Sequence, residues 1–390
     1  MIIVDYLLAL MVIILMLPVA VLLLQVLAAI FLPKSTFALQ PNVIQPKVAV
    51  LIPAHNESLV LAKTIQTILP LLANGDQLLV VADNCTDDTA SIARSLGATV
   101  VERFNTELRG KGYALDYGIQ HLKSNPPQVV IIIDADCSVS NGFIQVLAQF
   151  CAQLQRPVQA LDLMLAPANP SLKMRIAEFA WAVKNKVRPL GFKALGLPCQ
   201  LMGTGMAFLW RDITQMSLAN GNIAEDMKLG IDFCRALKAP VFLPDVLVTS
   251  LFPQGEQAST TQRARWEHGH LGMIMSEAPS LLFEALQARN LQMFGLACDL
   301  IVPPLAVLVL LCVAVFIFSL VCSAHLALLL SALLLAALTI AVLLAWLFFG
   351  RQIISFKQLC YAPVYALVKI PLYIKFFFNR QVEWVRSKRD

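Results

Sequence analysis

From Tyr6 to Pro33 the chain carries no charged side chain, and from Leu300 to Gly350 it carries none again. A helix needs about 20 apolar residues to cross a hydrocarbon core, and in lipid every backbone polar group must be bonded internally. The first block is therefore read as one spanning helix. The second is long enough for two, with the polar "CSAH" at residues 322–325 as the turn. A cleaved leader would begin with bases and have a shorter apolar run, whereas "MIIVDY" offers only Asp5, so an uncleaved anchor is expected. Charged residues make up 14% of the chain, against about 25% in ordinary soluble proteins, which agrees with a membrane part. Lys34, Arg351 and Lys357 flank the blocks on one side. Loops rich in Lys and Arg face the cytoplasm, so residues 34–296 are expected there. The segment 359–378 is apolar but carries Lys369, Lys375, Pro363 and Pro371, and the tail ends in "RSKRD". An interfacial or re-entrant piece is the expectation, with a third spanning helix as the alternative.

The middle of the chain has a different rhythm. "KVAVLIPAHNES" (47–58), "DQLLVVADNCTDDTA" (76–90), Gly97–Glu102 and "PQVVIIIDADCS" (127–138) each read as a short apolar strand, and Lys111–Leu122 reads as a helix. Short apolar strands alternating with helices predict an α/β fold with a mostly parallel sheet covered on both faces. Ligands of such sheets sit at the carboxyl ends of the strands. Asp134 and Asp136 stand at such an end, one residue apart. Two adjacent carboxylates at a strand end suit Mg²⁺ or Mn²⁺ held jointly with a phosphate; a capping aspartate beside a surface one is the plainer alternative.

Other residues on that edge fit the first reading. Asp83 ends the second strand, although a turn aspartate would look the same. In "NTELRGKGYAL", Arg109 and Lys111 lie among glycines before a helix, where backbone amides and cations suit a phosphate. Glu225 and Asp226 open a helix, as capping acids also do. Gln262, Arg265 and Trp266 in "TTQRARWEHGH" share or neighbour one helix face. Arg265 could grip a phosphate with two bonds and Trp266 could stack on a sugar, or the tryptophan could be an anchor at the membrane surface. The stretch 172–195 mixes bases with Phe179, Trp181 and Phe192, and reads as an amphipathic helix on a bilayer or against the sheet. The histidines have no metal-ligand spacing, and no GxGxxG follows the first strand, which disfavours a dinucleotide fold. Nine cysteines without a CxxC pair fit a reducing compartment, and a net charge of +5 does not indicate nucleic acid.

Taken in order, "PAHNE", the aspartate of "VADN", "DAD", "GTG", "ED" and "QRARW" resemble glycosyltransferase family 2, in its membrane branch with a QxxRW motif. That branch includes cellulose, chitin, hyaluronan and poly-N-acetylglucosamine synthases and ceramide glucosyltransferases. The resemblance covers roughly residues 47–275. It implies a GT-A fold, a nucleotide-sugar donor (usually a UDP-sugar), inverting single-displacement transfer and a divalent metal. By motif, Glu57 and Asp83 look like contacts to the donor base and ribose, and Lys111 like part of the nucleotide pocket. Asp134 resembles the nucleotide-side aspartate of DxD, Asp136 the metal ligand, and Asp226 the general base. Gln262, Arg265 and Trp266 resemble the residues holding the diphosphate and the acceptor sugar. One departure is Ala224, where many relatives have threonine; it puts an acceptor contact in doubt.

The expected layout is an anchor (1–33), a linker (34–46), a GT-A domain (47–285), an amphipathic segment with two spans (286–350) and an interfacial or third membrane segment with a basic tail (351–390). The expected protein is an integral membrane enzyme of a bacterial inner membrane with a cytoplasmic catalytic domain. It would pass a sugar to a lipid-linked or polysaccharide acceptor. Processive polysaccharide synthesis is the alternative, and a nucleotide-binding transport or scaffold protein a more distant one. Three spans are thin for a sugar channel, so an oligomer or export partner is the corresponding expectation.

Overall fold

Short apolar runs in the middle of the chain build one eight-stranded sheet among the described residues. The computed structural model describes residues 2–33, 45–253 and 255–378, apart from the side chains of 256–259 and 377; Lys34 and the "RSKRD" tail lie outside the described residues. These residues fall into two compact units, one sheet-based (45–167 and 198–269) and one helical (2–33, 168–197 and 270–378). Residues 168–197, inside the expected 47–285 domain, thus group with the helices.

The strands of the sheet unit are β1 (Val48–Ala54), β2 (Gln77–Asp83), β3 (Thr99–Arg103), β4 (Val129–Ile132), β5 (Ser138–Val139), β6 (Val158–Leu165), β7 (Met206–Leu209) and β8 (Val241–Leu251). Their order is β3-β2-β1-β4-β7-β6-β8-β5. The pairs β1/β2, β2/β3, β1/β4 and β6/β8 are parallel, while β7 runs antiparallel to both β4 and β6, and β5 antiparallel to β8. Alternate residues of β1 serve two cores. Val48, Val50 and Ile52 pack with Phe143 and Leu147 on one face. Ala49 and Leu51 pack with Leu79, Ile119 and Phe208 on the other. Two apolar faces explain why β1 reads as a continuous run instead of an alternation. The helix Lys111–Leu122 lies close enough that a Cβ on Gly118 would fall 2.4 Å from Leu51 Cδ1, so a larger residue there would force the Leu51 side chain to move.

In the helical unit, Ile2–Phe31, His325–Gly350 and Phe356–Phe376 are each long and apolar enough to cross a membrane. Leu291–Leu300 and Leu305–Val321 form a bent pair, turned by 72°. The turn expected at 322–325 lies between Leu305–Val321 and the helix starting at His325. Asp5 accepts bonds from the backbone N–H groups of Leu326 (3.2 Å) and Ala327 (2.9 Å). The lone acid of the first helix thus satisfies two of the orphan donors that every helix start leaves. Residues 356–378 are three short helices in series, Phe356–Leu359, Ala362–Val368 and Ile370–Phe378.

The amphipathic stretch 172–195 packs its apolar residues among the helices of its own unit. Ile176, Phe179, Val183, Val187 and Phe192 enter a core with Val19, Val26, Leu308 and Ala345 of the long apolar helices. Its apolar face therefore meets other helices, a partner that periodicity cannot name. At Gly191 a Cβ would lie 1.9 Å from the carbonyl oxygen of Gln25, so the two backbones meet only because residue 191 is glycine. Beside that crossing Arg188, Gln25 and Asp299 form a buried triad. Gln25 donates to Asp299 Oδ1 (2.6 Å), and Arg188 donates to Gln25 Oε1 (3.2 Å), Asp299 Oδ1 (2.8 Å) and the Asp299 carbonyl (2.6 Å).

Candidate active site

The carboxyl ends of β1, β2 and β4 open on a solvent-connected cleft. Glu57, Asp83, Lys111, Asp134, Asp136, Gln262 and Arg265 line it, so seven side chains singled out from scattered motifs meet in one place. His55, to which the sequence assigned no role, lines it as well. Asp226, Trp266 and Arg109 are not among the lining residues; Arg109 is exposed.

After β1 and β2 the chain turns sharply at Asn56 (φ 55°) and Asn84 (φ 50°), in the left-handed region where asparagine is among the best tolerated residues. The Asn56 side chain accepts the Thr86 N–H (2.7 Å), and the Glu57 N–H donates to Thr89 Oγ1 (2.8 Å), which ties the two strand ends together. His55 Nδ1 lies 2.6 Å from the Asp83 carbonyl oxygen. The Asp83 carboxylate pairs with Arg103 at 2.6 Å, both side chains being about nine-tenths buried. Burial pushes the Asp83 pKa up, while Arg103 pulls the other way without cancelling it. Arg103 escaped the sequence reading. The signal would have been the β2/β3 register, which places Asp83 opposite Arg103.

Lys111, the first residue of its helix, forms an ion pair with Asp134 and donates to the Gly203 carbonyl (2.8 Å). Burial works against its ammonium, but Asp134, Glu225 and Asp226 outweigh that and hold its pKa above the usual lysine value. The Asp134 N–H donates to Thr204 Oγ1 (3.1 Å). Glu225 and Asp226 open the helix Glu225–Arg235, and no side chain caps it from Ala224. Burial first, and then the neighbouring Asp226, push the Glu225 pKa up to about 7, against the pull of Lys111. Asp226 faces the Gly203 backbone, where a Cβ would sit 3.4 Å from Asp226 Oδ2 and 3.5 Å from Lys111 Nζ. Gln262, Arg265 and Trp266 all lie on the helix Glu256–Ser276, with Gln262 buried.

Among the described residues no three His, Cys, Asp or Glu side chains gather as a closed metal site. With Asp134 engaged by Lys111, the donor set is hard, oxygen-based and incomplete. That fits a Mg²⁺- or Mn²⁺-type ion completed by ligand phosphates, and does not fit a structural zinc.

Residues 46–269 match the family model described as glycosyltransferase like family 2. The chain belongs to that family. No curated protein matches it. Among solved structures, this family 2 protein is similar to the mannosyltransferase PcManGT from Pyrobaculum calidifontis, determined with GDP-Man and Mn²⁺. The two are 17% identical over 96% of this chain and 100% of that one, with a TM-score of 0.55. It is also matched to glucosyl-3-phosphoglycerate synthase from Mycobacterium tuberculosis, determined with Mn²⁺, UDP and glucosyl-3-phosphoglycerate, at 19% identity over 62% of this chain and 87% of that one, with a TM-score of 0.38. The fold of this family 2 protein is GT-A-like: a mostly parallel sheet flanked by helices, as the motifs led one to expect.

Proposed function

We propose that the protein is a membrane-bound, inverting glycosyltransferase that moves a sugar from a nucleotide sugar to a lipid-linked or polysaccharide acceptor. The observation that carries this reading is the cleft, where Asp83, Asp134 and Asp136 from two strand ends converge with Lys111, Gln262 and Arg265. Glu57 and Asp83 take the base and ribose of a donor, with a UDP-sugar as the expected one. Asp83 is fixed for this by Arg103. Lys111 and Asp134 form the nucleotide side of the site, and Arg265 with Gln262 holds the diphosphate. Asp136 would hold a Mg²⁺ or Mn²⁺ ion, which supplies charge neutralisation at the leaving diphosphate.

In the transfer step the acceptor hydroxyl oxygen attacks the anomeric carbon, and Asp226 takes the hydroxyl proton. The bond from that carbon to the diphosphate oxygen breaks, and the electron pair leaves with the diphosphate. A single base suffices for one displacement, and the configuration inverts. Arg265 meets the charge that develops on the leaving group. Trp266, next to Arg265 but outside the cleft lining, is placed on the acceptor side. The apolar helices anchor the enzyme, with residues 34–296 on the cytoplasmic side as the basic flanks direct.

Purified full-length protein in detergent, given UDP-glucose, UDP-N-acetylglucosamine, UDP-galactose or GDP-mannose with Mn²⁺ or Mg²⁺ and a membrane-lipid extract, should release nucleotide from one donor class. Release from none of them by folded protein would overturn the reading.

A further inference from the structure

Gln159 lies on β6 and is 0% exposed. Its side-chain N–H groups donate to the carbonyls of Thr204 (2.9 Å) and Ala160 (2.9 Å), and its Oε1 accepts the Met202 N–H (2.8 Å). Both donors of the amide and one acceptor site are in use, which is the full capacity of a buried glutamine less one lone pair. The bonds are placed where the sheet cannot supply its own. Gly203 (φ 93°) and Gly205 (φ 66°) turn the chain out of the ladder, and β7 begins only at Met206. Gly205 still donates to the Ile132 carbonyl (2.9 Å) and accepts from the Ala160 N–H (2.8 Å). At Thr204, one residue earlier, and at Met202, three residues earlier, the Gln159 side-chain amide replaces a missing strand neighbour.

The loop that Gln159 holds touches three functional residues, Lys111 and Asp226 through their side chains and Asp134 through its backbone. The Gly203 carbonyl accepts from Lys111, and the Thr204 hydroxyl accepts from the Asp134 N–H. Asp226 lies beside the Gly203 Cα, where an added Cβ would sit at an ordinary contact distance of 3.4 Å from Asp226 Oδ2. The donor-side pair and the proposed base therefore share one short loop, and a shift of that loop moves all three together.

We infer that Gln159 is a positioning residue for sugar transfer: its amide clamps residues 202–204 and so sets Lys111 and Asp134 in register with Asp226. This rests on the roles proposed above for those three residues. Gln159 itself is buried behind the loop and is not among the residues lining the cleft.

The test uses the full-length enzyme. Gln159→Met keeps length and removes all three bonds. Gln159→Glu keeps the acceptor for the Met202 N–H and loses the donor to the Thr204 carbonyl. Misplacement of a reacting group by about 1 Å costs on the order of 100-fold. Gln159→Met should lower kcat by about 10- to 100-fold with donor KM changed less than about threefold, and Gln159→Glu should fall in between. In a Lys111→Ala background, measured with excess enzyme, the further loss from Gln159→Met should shrink severalfold, because one of the groups it sets is gone. Equal fold-losses in both backgrounds would mark a merely structural amide and overturn the inference, as would an unchanged kcat in Gln159→Met. Hydrogen exchange gives a second readout that needs no substrate. The Met202 amide should lose protection in Gln159→Met while the amides of β1 and β2 keep theirs, and retained protection at Met202 overturns the clamp. Should Gln159→Met fail to fold, Gln159→Glu carries the kinetic comparisons and Gln159→Leu, which also lacks an acceptor for the Met202 N–H, carries the exchange readout. A wild-type enzyme that transfers no sugar would sink the proposed function, and the exchange result would still decide the clamp.

Discussion

Two of the clusters of buried or half-buried charge among the described residues are built on opposite plans. In the helical unit, Arg188, Gln25 and Asp299 bond to one another, and all three are less than a tenth exposed. Charge there is balanced, one guanidinium to one carboxylate. In the sheet unit, six carboxyl groups (Glu57, Asp83, Asp134, Asp136, Glu225 and Asp226) stand with three cations (Lys111, Arg103 and Arg265), and the cluster opens on a cleft. A closed, neutral set fixes geometry and recruits nothing. An open set with surplus negative charge can accept a cation or keep a proton. The comparison separates a polar cluster that holds helices together from one poised to do chemistry.

The largest expected effect tests the open cluster. Asp226→Asn keeps size and hydrogen bonding but cannot take a proton, and loss of a positioned base costs about 10²–10⁴ in rate. Transfer should fall by that factor while calorimetry shows nucleotide affinity near wild type. Loss of nucleotide affinity as well would make Asp226 a donor ligand or a structural residue. Asp136→Ala, in the same cluster, should remove the stimulation by Mn²⁺ or Mg²⁺ and leave the melting temperature unchanged. Undiminished metal stimulation in that variant would take the metal role from Asp136.

The closed cluster should respond in the reverse manner. Asp299→Ala leaves the Arg188 guanidinium buried without its carboxylate, and breaking a buried pair from one side costs about 3–5 kcal/mol. The detergent-solubilised protein should melt at a markedly lower temperature, while its folded fraction keeps the wild-type donor KM. Gln25→Leu, which removes a neutral member, should cost less. A donor KM that shifts strongly in Asp299→Ala, with stability intact, would erase the distinction between the two clusters.

The open cluster was largely legible in the sequence and the closed one was not, for a physical reason. Asp83, Lys111, Asp134 and Asp136 stand at the ends of strands or the start of a helix that short-range periodicity reveals; the helix Lys111–Leu122 has the bounds the pattern predicts. Parallel-sheet logic then sends strand ends to one edge. Arg188 and Asp299 lie 111 residues apart, and Gln25 and Asp299 lie 274 apart, in stretches whose amphipathicity shows that a face is buried but not against what. Arg103 and Gln159 failed to stand out for a related reason. Each acts across strand pairs, and β7, only four residues between glycines and a short helix, leaves too faint a pattern for the antiparallel β4/β7/β6 arrangement to be read.

The smallest expected effect concerns the proton kept by Glu225. Its pKa in the folded protein is raised from 4.5 to about 7, by burial and by the adjacent Asp226. Between those two values the folded chain holds a proton that the unfolded chain has released. The folded state therefore binds more protons, and this group's contribution to stability falls as pH rises from about 4.5 to about 7. Below the lower value both states are protonated, and above the upper value both are ionised, so the contribution is flat outside the window. With Lys111 and solvent screening the charged form, the effect is on the order of 1 kcal/mol. Glu225→Gln is neutral at every pH and should flatten that part of the stability curve, read from urea midpoints between pH 5 and 7.5. An identical pH slope of stability in Glu225→Gln and wild type would mean that Glu225 titrates as an ordinary surface carboxylate, and that the surplus negative charge of the open cluster is relieved elsewhere.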